Sequence, residues 1–502
     1  MVKRVLVLGG GSAGFIAAIT LKAQMPDLPV LVVRSKDIGI IGVGEGTTTS
    51  VPDHLFNFCR IPVGDFYREA EPVWKLGIRL LWGTRHHFDF AFSEQLDSQI
   101  KGFSRGTGFY YDAFPGSEMG LDSALMTHNR AFARRNPAGP GRPPFNPAAP
   151  AMHIENEKFV SFLERYALRV GVQVRDDTVR DVLQNDAGVT GLKMASGGTL
   201  DADLYVDCSG FASVLLGKAL GEPFVSYKSS LYCDRAVIGG WARGADEPIK
   251  PYTTAETMDA GWCWQIEHEH RVNRGYVYGS AFITDESAER EFRSKNPKLT
   301  STRVVKFVSG RYERVWVKNV VAIGNASGFV EPLEATALAV ICHQSAWLAL
   351  SLVDSQRRVR PSQVTMCNRA SEELWEQIRR FLAVHYKFNR RLDTPFWREC
   401  RQKTDLAGAE QFVEYFQANG PSTLWKPMLV GKVVIFPYEG YLAMFCGQDV
   451  PHEGRYTPTP AETERWQQFQ RYINEVAKAG YSVPEALSLI RSPNFAWPAA
   501  AA

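Results

Sequence analysis

Four apolar residues, Val5-Leu6-Val7-Leu8, run straight into Gly9-Gly10-Gly11-Ser12-Ala13-Gly14, and an apolar helix-forming run, Phe15-Ile16-Ala17-Ala18-Ile19, follows at once. No other feature limits the fold as much. Glycines at 9, 11 and 14 let the backbone turn tightly and approach a pyrophosphate at a helix N-terminus. With residues 30–33 as a second strand, the segment predicts a βαβ unit of a parallel sheet. The expected fold is α/β, a Rossmann-like dinucleotide-binding box in which Gly9, Gly11, Ser12, Ala13 and Gly14 contact the cofactor. Arg34 closes the second strand where an acid would accept the ribose hydroxyls. An arginine there fits a 2′-phosphate, or else a surface residue beside adenine. No second GxGxxG occurs, so one nucleotide site is expected.

Further strand–turn signals follow. Asp201-Ala202-Asp203-Leu204-Tyr205-Val206-Asp207-Cys208-Ser209-Gly210 reads as a strand ending in a small-residue turn, and so does Val320-Val321-Ala322-Ile323-Gly324-Asn325-Ala326. Residues 156–170 read as an amphipathic helix, 336–352 as a long apolar one, and 354–500 as largely helical. Six prolines between 137 and 150 mark an irregular extended loop. The expected organisation is a nucleotide-binding module over residues 1–353, carrying that loop, and a helical substrate module over 354–502. Residues 499–502 read as a tail.

Composition narrows the function. Lys plus Arg is 57 against 54 for Asp plus Glu, a formal charge of +3 with no basic block, which removes the footprint of a nucleic-acid binder. The eight cysteines are scattered without a CxxC, against a zinc ribbon or a disulfide scaffold and in favour of a reducing, cytoplasmic setting. No uninterrupted apolar stretch reads as long enough to span a bilayer, and no membrane association is expected.

Several motifs then line up in order. Gly42-Val43-Gly44-Glu45-Gly46 follows the second strand, and Lys75-Leu76-Gly77-Ile78-Arg79 lies in a later one. Gly261-Trp262-Cys263-Trp264-Gln265-Ile266 supplies a WxWxI motif. Gly328-Phe329-Val330-Glu331-Pro332-Leu333-Glu334-Ala335-Thr336 precedes the long apolar helix, and His385-Tyr386 and Asp393-Thr394-Pro395-Phe396-Trp397 come after it. Together these resemble the flavin-dependent halogenases, nearest the tryptophan halogenase branch, over residues 1 to about 400. The resemblance implies FAD in a flavoprotein-monooxygenase type of box, used as FADH2 with O2 and a halide, chloride or bromide. It implies a flavin C4a-hydroperoxide and hypohalous acid that reaches Lys75 beside the aromatic substrate, with Glu334 positioning the oxidant or taking the ring proton. Arg34, Gly44, Glu45, Gly324 and Asn325 join the glycine turn as FAD contacts. A separate NAD(P)H-dependent flavin reductase is the implied partner, and the protein is expected as monomer or homodimer.

The residues themselves agree in part. Alternation over 74–82 puts Lys75 and Arg79 on the face opposite Trp74, Leu76, Ile78 and Leu80, which by itself describes a solvated strand face. A neutral amine is nevertheless a nucleophile for electrophilic halogen, and an ammonium a strong donor. Glu334 suits a helix start, and the backbone N–H groups of Thr336 and Ala337 at that positive end form a halide site. The family usually has glycine where Ala337 stands, and alanine restricts positive φ. Glu267, His268 and His270 make a poor metal site, because strand neighbours point to opposite faces, and no metal is expected.

Substrate class is read from departures. The resemblance makes Phe90 and Phe92 aromatic walls, with Phe90 at a position that holds histidine in the family, and implies that Trp262 and Trp264, which by sequence alone could be plain core, wall the space between flavin and substrate. Residues 411–445 offer no recognisable acid–tyrosine clamp for a zwitterion. The expected substrate is an electron-rich arene, indole or a substituted indole, rather than free tryptophan. The alternatives are a FAD-dependent aromatic hydroxylase using NAD(P)H directly, and a non-catalytic FAD-fold binding protein.

Overall fold

The computed structural model describes residues 1–39, 44–93, 96, 100–134, 143–430, 432 and 434–497. Gly42 and Val43 of the second motif, Pro137 and Pro140 of the loop, and the tail at 499–502 lie outside the described residues.

The predicted βαβ unit forms from Val5–Leu8, the helix Ser12–Gln24 and Val30–Arg34. Burial on both faces suits the unbroken apolar runs of these strands, as in other parallel sheets. Their sheet has six strands in the order Trp316–Val317, Val320–Ala322, Leu204–Asp207, Val5–Leu8, Val30–Arg34, Gln173–Asp176. Val5 sits between Leu204 and Val30 in register, and every pairing is parallel except the short Trp316–Val317 edge.

A second, seven-stranded sheet runs Thr302–Lys306, Arg235–Ala242, Arg271–Tyr278, Gly261–Glu267, Thr253–Met258, Gly77–Leu81, Phe88–Ala91. All its pairings are antiparallel except that of Thr253–Met258 with Gly77–Leu81. The stretch around Lys75, expected as one strand, is two. Val73–Lys75 pairs with Ala151–Ile154 in a small three-stranded sheet, and after Leu76 the chain crosses into the seven-stranded one. Lys75 therefore stands at a junction of two sheets, which is why it is buried rather than solvated.

The long apolar helix spans Ala337–Asp354 and packs against Ser12–Gln24. By length and mean composition this 18-residue helix could cross a bilayer, although His343 and Gln344 interrupt its apolar run. Here it lies in the core, its Gln344 side chain accepting from the Gly324 N–H and donating to Ser327. Beyond it come the helices Pro361–Phe388, Pro395–Lys403, Glu410–Asn419, Tyr438–Gly447, Pro460–Lys478 and Val483–Ile490. The first four and Trp466 of the fifth share one core with the seven-stranded sheet, whereas Val483–Ile490 packs into the core around the six-stranded sheet.

Candidate active site

Three strand–turn segments meet where a nucleotide would lie. Gly9 has φ +125°, and a Cβ there would overlap the carbonyl of Cys208 at the second turn. Gly324 has φ +65°, and a Cβ there would lie 3.4 Å from the Ala13 methyl. Gly11 faces open space and caps the first helix without any side-chain hydrogen bond, so the backbone N–H groups of that helix start are bare. An uncapped, acid-free helix N-terminus fits a pyrophosphate. Arg34 lies against Gly10, and its guanidinium is held by Glu164 at 2.6 Å and Asp176 at 3.7 Å. Gly44 has φ +77° and abuts His268, while Glu45 accepts from Asn156 at 2.8 Å. Asn325 follows in the turn Gly324–Ala326.

Lys75 is fully buried. Its Nζ donates to the Thr47 carbonyl at 3.2 Å and sits 4.6 Å from the centre of the Phe92 ring. Burial pushes the ammonium down to about 7 from 10.5, while the charge of Glu334 opposes that shift. Gly46 lies between the two groups, its ideal Cβ position 3.1 Å from Lys75 Nζ and 3.2 Å from the Ala335 methyl.

Glu334 occupies the turn Pro332–Glu334 just before the long helix and is buried. Its Oε1 lies 2.8 Å from His385 Nε2, and its Oε2 has no hydrogen-bond partner. Three residues earlier, buried Glu331 accepts at Oε2 from Trp262 Nε1 at 2.9 Å and from Tyr386 Oη at 2.6 Å. Burial raises Glu331 to about 7 against those two hydrogen bonds. Two neighbouring residues of one helix thus pin two carboxylates of one turn. Thr336 caps the long helix and Ala337 begins it. The positive φ, +56°, falls on Ala335, whereas Ala337 is helical, so the alanine in the expected glycine position meets no backbone strain.

The aromatic expectations separate. Trp262 is tied to the Glu331 turn, and Trp264 lies behind it, 6.0 Å between ring centres, against Gly275. Phe92 stacks under Lys75, while Phe90 packs on Phe92 and Phe381 at 5.7 and 5.6 Å. Lys75 and Phe92 open onto a cavity of about 270 Å³ whose other walls include Leu121, Leu125, Phe132 and Phe145, with Thr49, Ser93, Asp122 and Asn146 as polar groups. Its volume approaches that of small-molecule pockets. Phe132, Phe145, His385 and Glu331 were missed as site residues. Glu331 and His385 lay inside recognised motifs, whereas Phe132 precedes the proline loop, Phe145 lies within it, and neither carries a local signal.

The segment 411–445 does contain an acid with tyrosines. Glu439 is buried between Tyr438 and Tyr441 at the start of a helix, and Gly440 packs on Phe90. That acid is already paired with Lys426 inside the protein. Of the weak metal trio, Glu267 pairs with Arg243, His268 is 3.2 Å from Asn273, and His270 is exposed. All eight cysteines are free and buried.

This geometry can be set beside known proteins. The family model described as "Tryptophan halogenase" matches residues 4–461. The 7-chloro-L-tryptophan 6-halogenase KtzR of Kutzneria sp. (strain 744) is 33% identical, covering 91% of each chain. Tryptophan 7-halogenase RebH of Lentzea aerocolonigenes is 30% identical over 83% of this chain and 82% of its own. Among solved structures, MibH, described as a lathipeptide tryptophan 5-halogenase, superposes with a TM-score of 0.85 at 37% identity, covering 98% of this chain and 94% of its own. BrvH, a flavin-dependent halogenase from Brevundimonas sp. BAL3, superposes with a TM-score of 0.83 at 26% identity, covering 98% and 100%. The bare glycine turn, the buried lysine and the paired carboxylates therefore belong to a member of the tryptophan halogenase family.

Proposed function

We propose that the protein halogenates the ring of an electron-rich arene, an indole or substituted indole, using FADH2 delivered by a separate flavin reductase. One observation carries this reading: a lysine amine held near neutrality by burial lies beside Glu334 and opens onto an aromatic cavity. FAD would lie along the turns of Gly9, Gly11, Ser12, Ala13 and Gly14, with Arg34 near adenine and Gly44, Glu45, Gly324 and Asn325 around the remainder. When bound and reduced it supplies, with O2, the oxidising power that turns halide into an electrophile. Thr336 and Ala337 N–H groups at the helix start hold the halide.

The chain's own groups do the rest. Lys75 can hold an electrophilic halogen species either as donor or, being partly neutral near pH 7, as a nucleophile. Phe92 beneath it and Phe132 and Phe145 opposite offer π-faces and exclude water. Glu334 Oε2 has no protein partner, and we assign it the ring proton. Glu331 orients Trp262 through one hydrogen bond. The helices after residue 354 reach this region through Phe381 and Gly440, which pack on Phe90. The eight free thiols suit a reducing compartment.

Mass spectrometry of products from a panel of arenes, with FAD, a reductase, and chloride or bromide, tests the reading. Halide-dependent product is expected, with indole preferred over free tryptophan in direct competition and attack favouring C3. Oxygenated product without halogen would point to the hydroxylase instead. Selective halogenation of tryptophan at a benzo-ring carbon would show that Tyr438, Glu439 and Tyr441 act as an amino-acid clamp after all.

A further inference from the structure

The partners of His385 limit where protons can sit. Its Nδ1 lies 2.8 Å from the Phe381 carbonyl, which can only accept, so Nδ1 carries a hydrogen. Its Nε2 lies 2.8 Å from Glu334 Oε1. Between those two atoms there is one proton, either on an imidazolium facing a carboxylate or on a carboxylic acid facing a neutral ring. Both side chains are fully buried. The ring is locked as well: Trp82 and Phe381 meet it edge-on at 6.3 and 5.0 Å, and Trp82 Nε1 donates to the His385 carbonyl at 2.9 Å.

We propose that His385 is the positioning residue of the reaction, holding the shared proton so that Glu334 stays a carboxylate with Oε2 free to receive the ring proton. This rests on the halogenase reading. The balance is simple. The ring π pair forms the carbon–halogen bond as the O–X bond of hypohalous acid breaks. The ring C–H bond then breaks, its electron pair returns to the ring, and the proton passes to Glu334 Oε2 and from there to the hydroxide released from hypohalous acid, giving water and restoring the carboxylate. Arene plus hypohalous acid gives aryl halide plus water.

Other groups facing the pair do not supply the missing charge. Lys75, from the adjoining strand, is only partly protonated near pH 7. Glu331, on the same turn, is itself raised to about 7, and Tyr386 is committed to it. A buried carboxylate without a cation would take up a proton and cease to be a base.

Two measurements decide the matter. The first is 15N NMR of histidine-labelled protein without flavin at pH 7, with His385→Gln and, if that variant fails to fold, His385→Asn for assignment. One buried ring should carry hydrogen on both nitrogens in wild type and lose the Nε2 hydrogen in Glu334→Gln. A neutral His385 ring in wild type overturns the proposal. The second is the pH profile of His385→Gln, whose amide still donates to Oε1 but cannot hold a proton. Its kcat at pH 7 should fall at least about tenfold with little change in KM, and should climb with pH where wild type is flat. A deficit equal at every pH would mark a purely structural role and overturn the proposal. If wild type gives no halide-dependent product, the functional reading fails, while the NMR result still shows where the proton resides.

Discussion

Two helix N-termini lie side by side in this molecule, and they are built for different work. The helix Ser12–Gln24 begins at a bare glycine turn with no acid in its first turn and no side-chain cap. The helix Ala337–Asp354, packed against it, begins after a turn that carries Glu331 and Glu334 and approaches Lys75. Both offer unpaired N–H groups and a positive helix end. The dipole is common to both, so what each end can bind is decided by its side chains. The first presents only backbone, which suits a large anionic group. The second surrounds its N–H groups with titratable side chains, which suits a small anion and proton transfer.

The sharpest way to break the comparison is to strip each end in turn. Lys75→Ala should abolish halogenation, with flavin binding retained by fluorescence titration, because the lysine touches the Thr47 carbonyl and Phe92 rather than the glycine turn. Gly11→Ala should act on the flavin instead, with activity restored by saturating FAD. Its Cβ meets nothing within 4 Å, so the melting temperature should hold, while FAD affinity falls by about tenfold or more as the methyl stands in the path of the pyrophosphate. Loss of flavin binding in Lys75→Ala, or a loss of activity in Gly11→Ala that saturating FAD does not restore, would mean that the two ends are not separable.

Glu334→Gln should cost on the order of a hundredfold in kcat at nearly unchanged melting temperature, since it keeps volume but loses basicity. Full retained activity would leave Glu334 as a helix-start residue.

A smaller effect concerns stability. Lys75 is depressed from 10.5 to about 7 by burial, so the unfolded chain binds more protons than the folded one between those values. Stability from this group therefore rises with pH from about 7 towards 10, and its cost is largest below 7. At about 1.4 kcal/mol per pKa unit the span is at most about 5 kcal/mol. Lys75→Met should raise the unfolding free energy, by more at pH 6 than at pH 9. An equal gain at both would show that the amine is better solvated than its setting implies. The smallest change is Ala335→Gly, which relieves φ +56° and should stabilise by up to about 1 kcal/mol in denaturant unfolding.

The same comparison explains what could be read from the chain. The first helix end is local: strand, glycines and helix fall within residues 5–24, and sequence pattern suffices to place them. The second is assembled from distant parts. Glu334 meets His385 across 51 positions, and Lys75 reaches that turn only because the chain leaves one sheet for another at Leu76. Motif resemblance located Lys75 and Glu334, but strand alternation alone put the lysine in solvent, since periodicity cannot register a second sheet laid over a polar face. The walls Phe132, before the proline loop, and Phe145, within it, stack on each other at 4.0 Å, a contact no short-range pattern encodes. Tyr438 and Glu439 were overlooked because an acid beside aromatics at a helix start looks like ordinary capping.

The burial of every thiol has a consequence for self-damage. Sulfur is the first target of hypohalous acid, and all eight cysteines are buried from solvent, with burial holding Cys59 up at about 12 and so further from the reactive thiolate. Oxidant escaping into solvent would meet thioether first, at the exposed Met366 and Met428, the latter beside exposed Trp425. Wear of the working enzyme should therefore be written on its surface as methionine sulfoxide, long before it reaches the core.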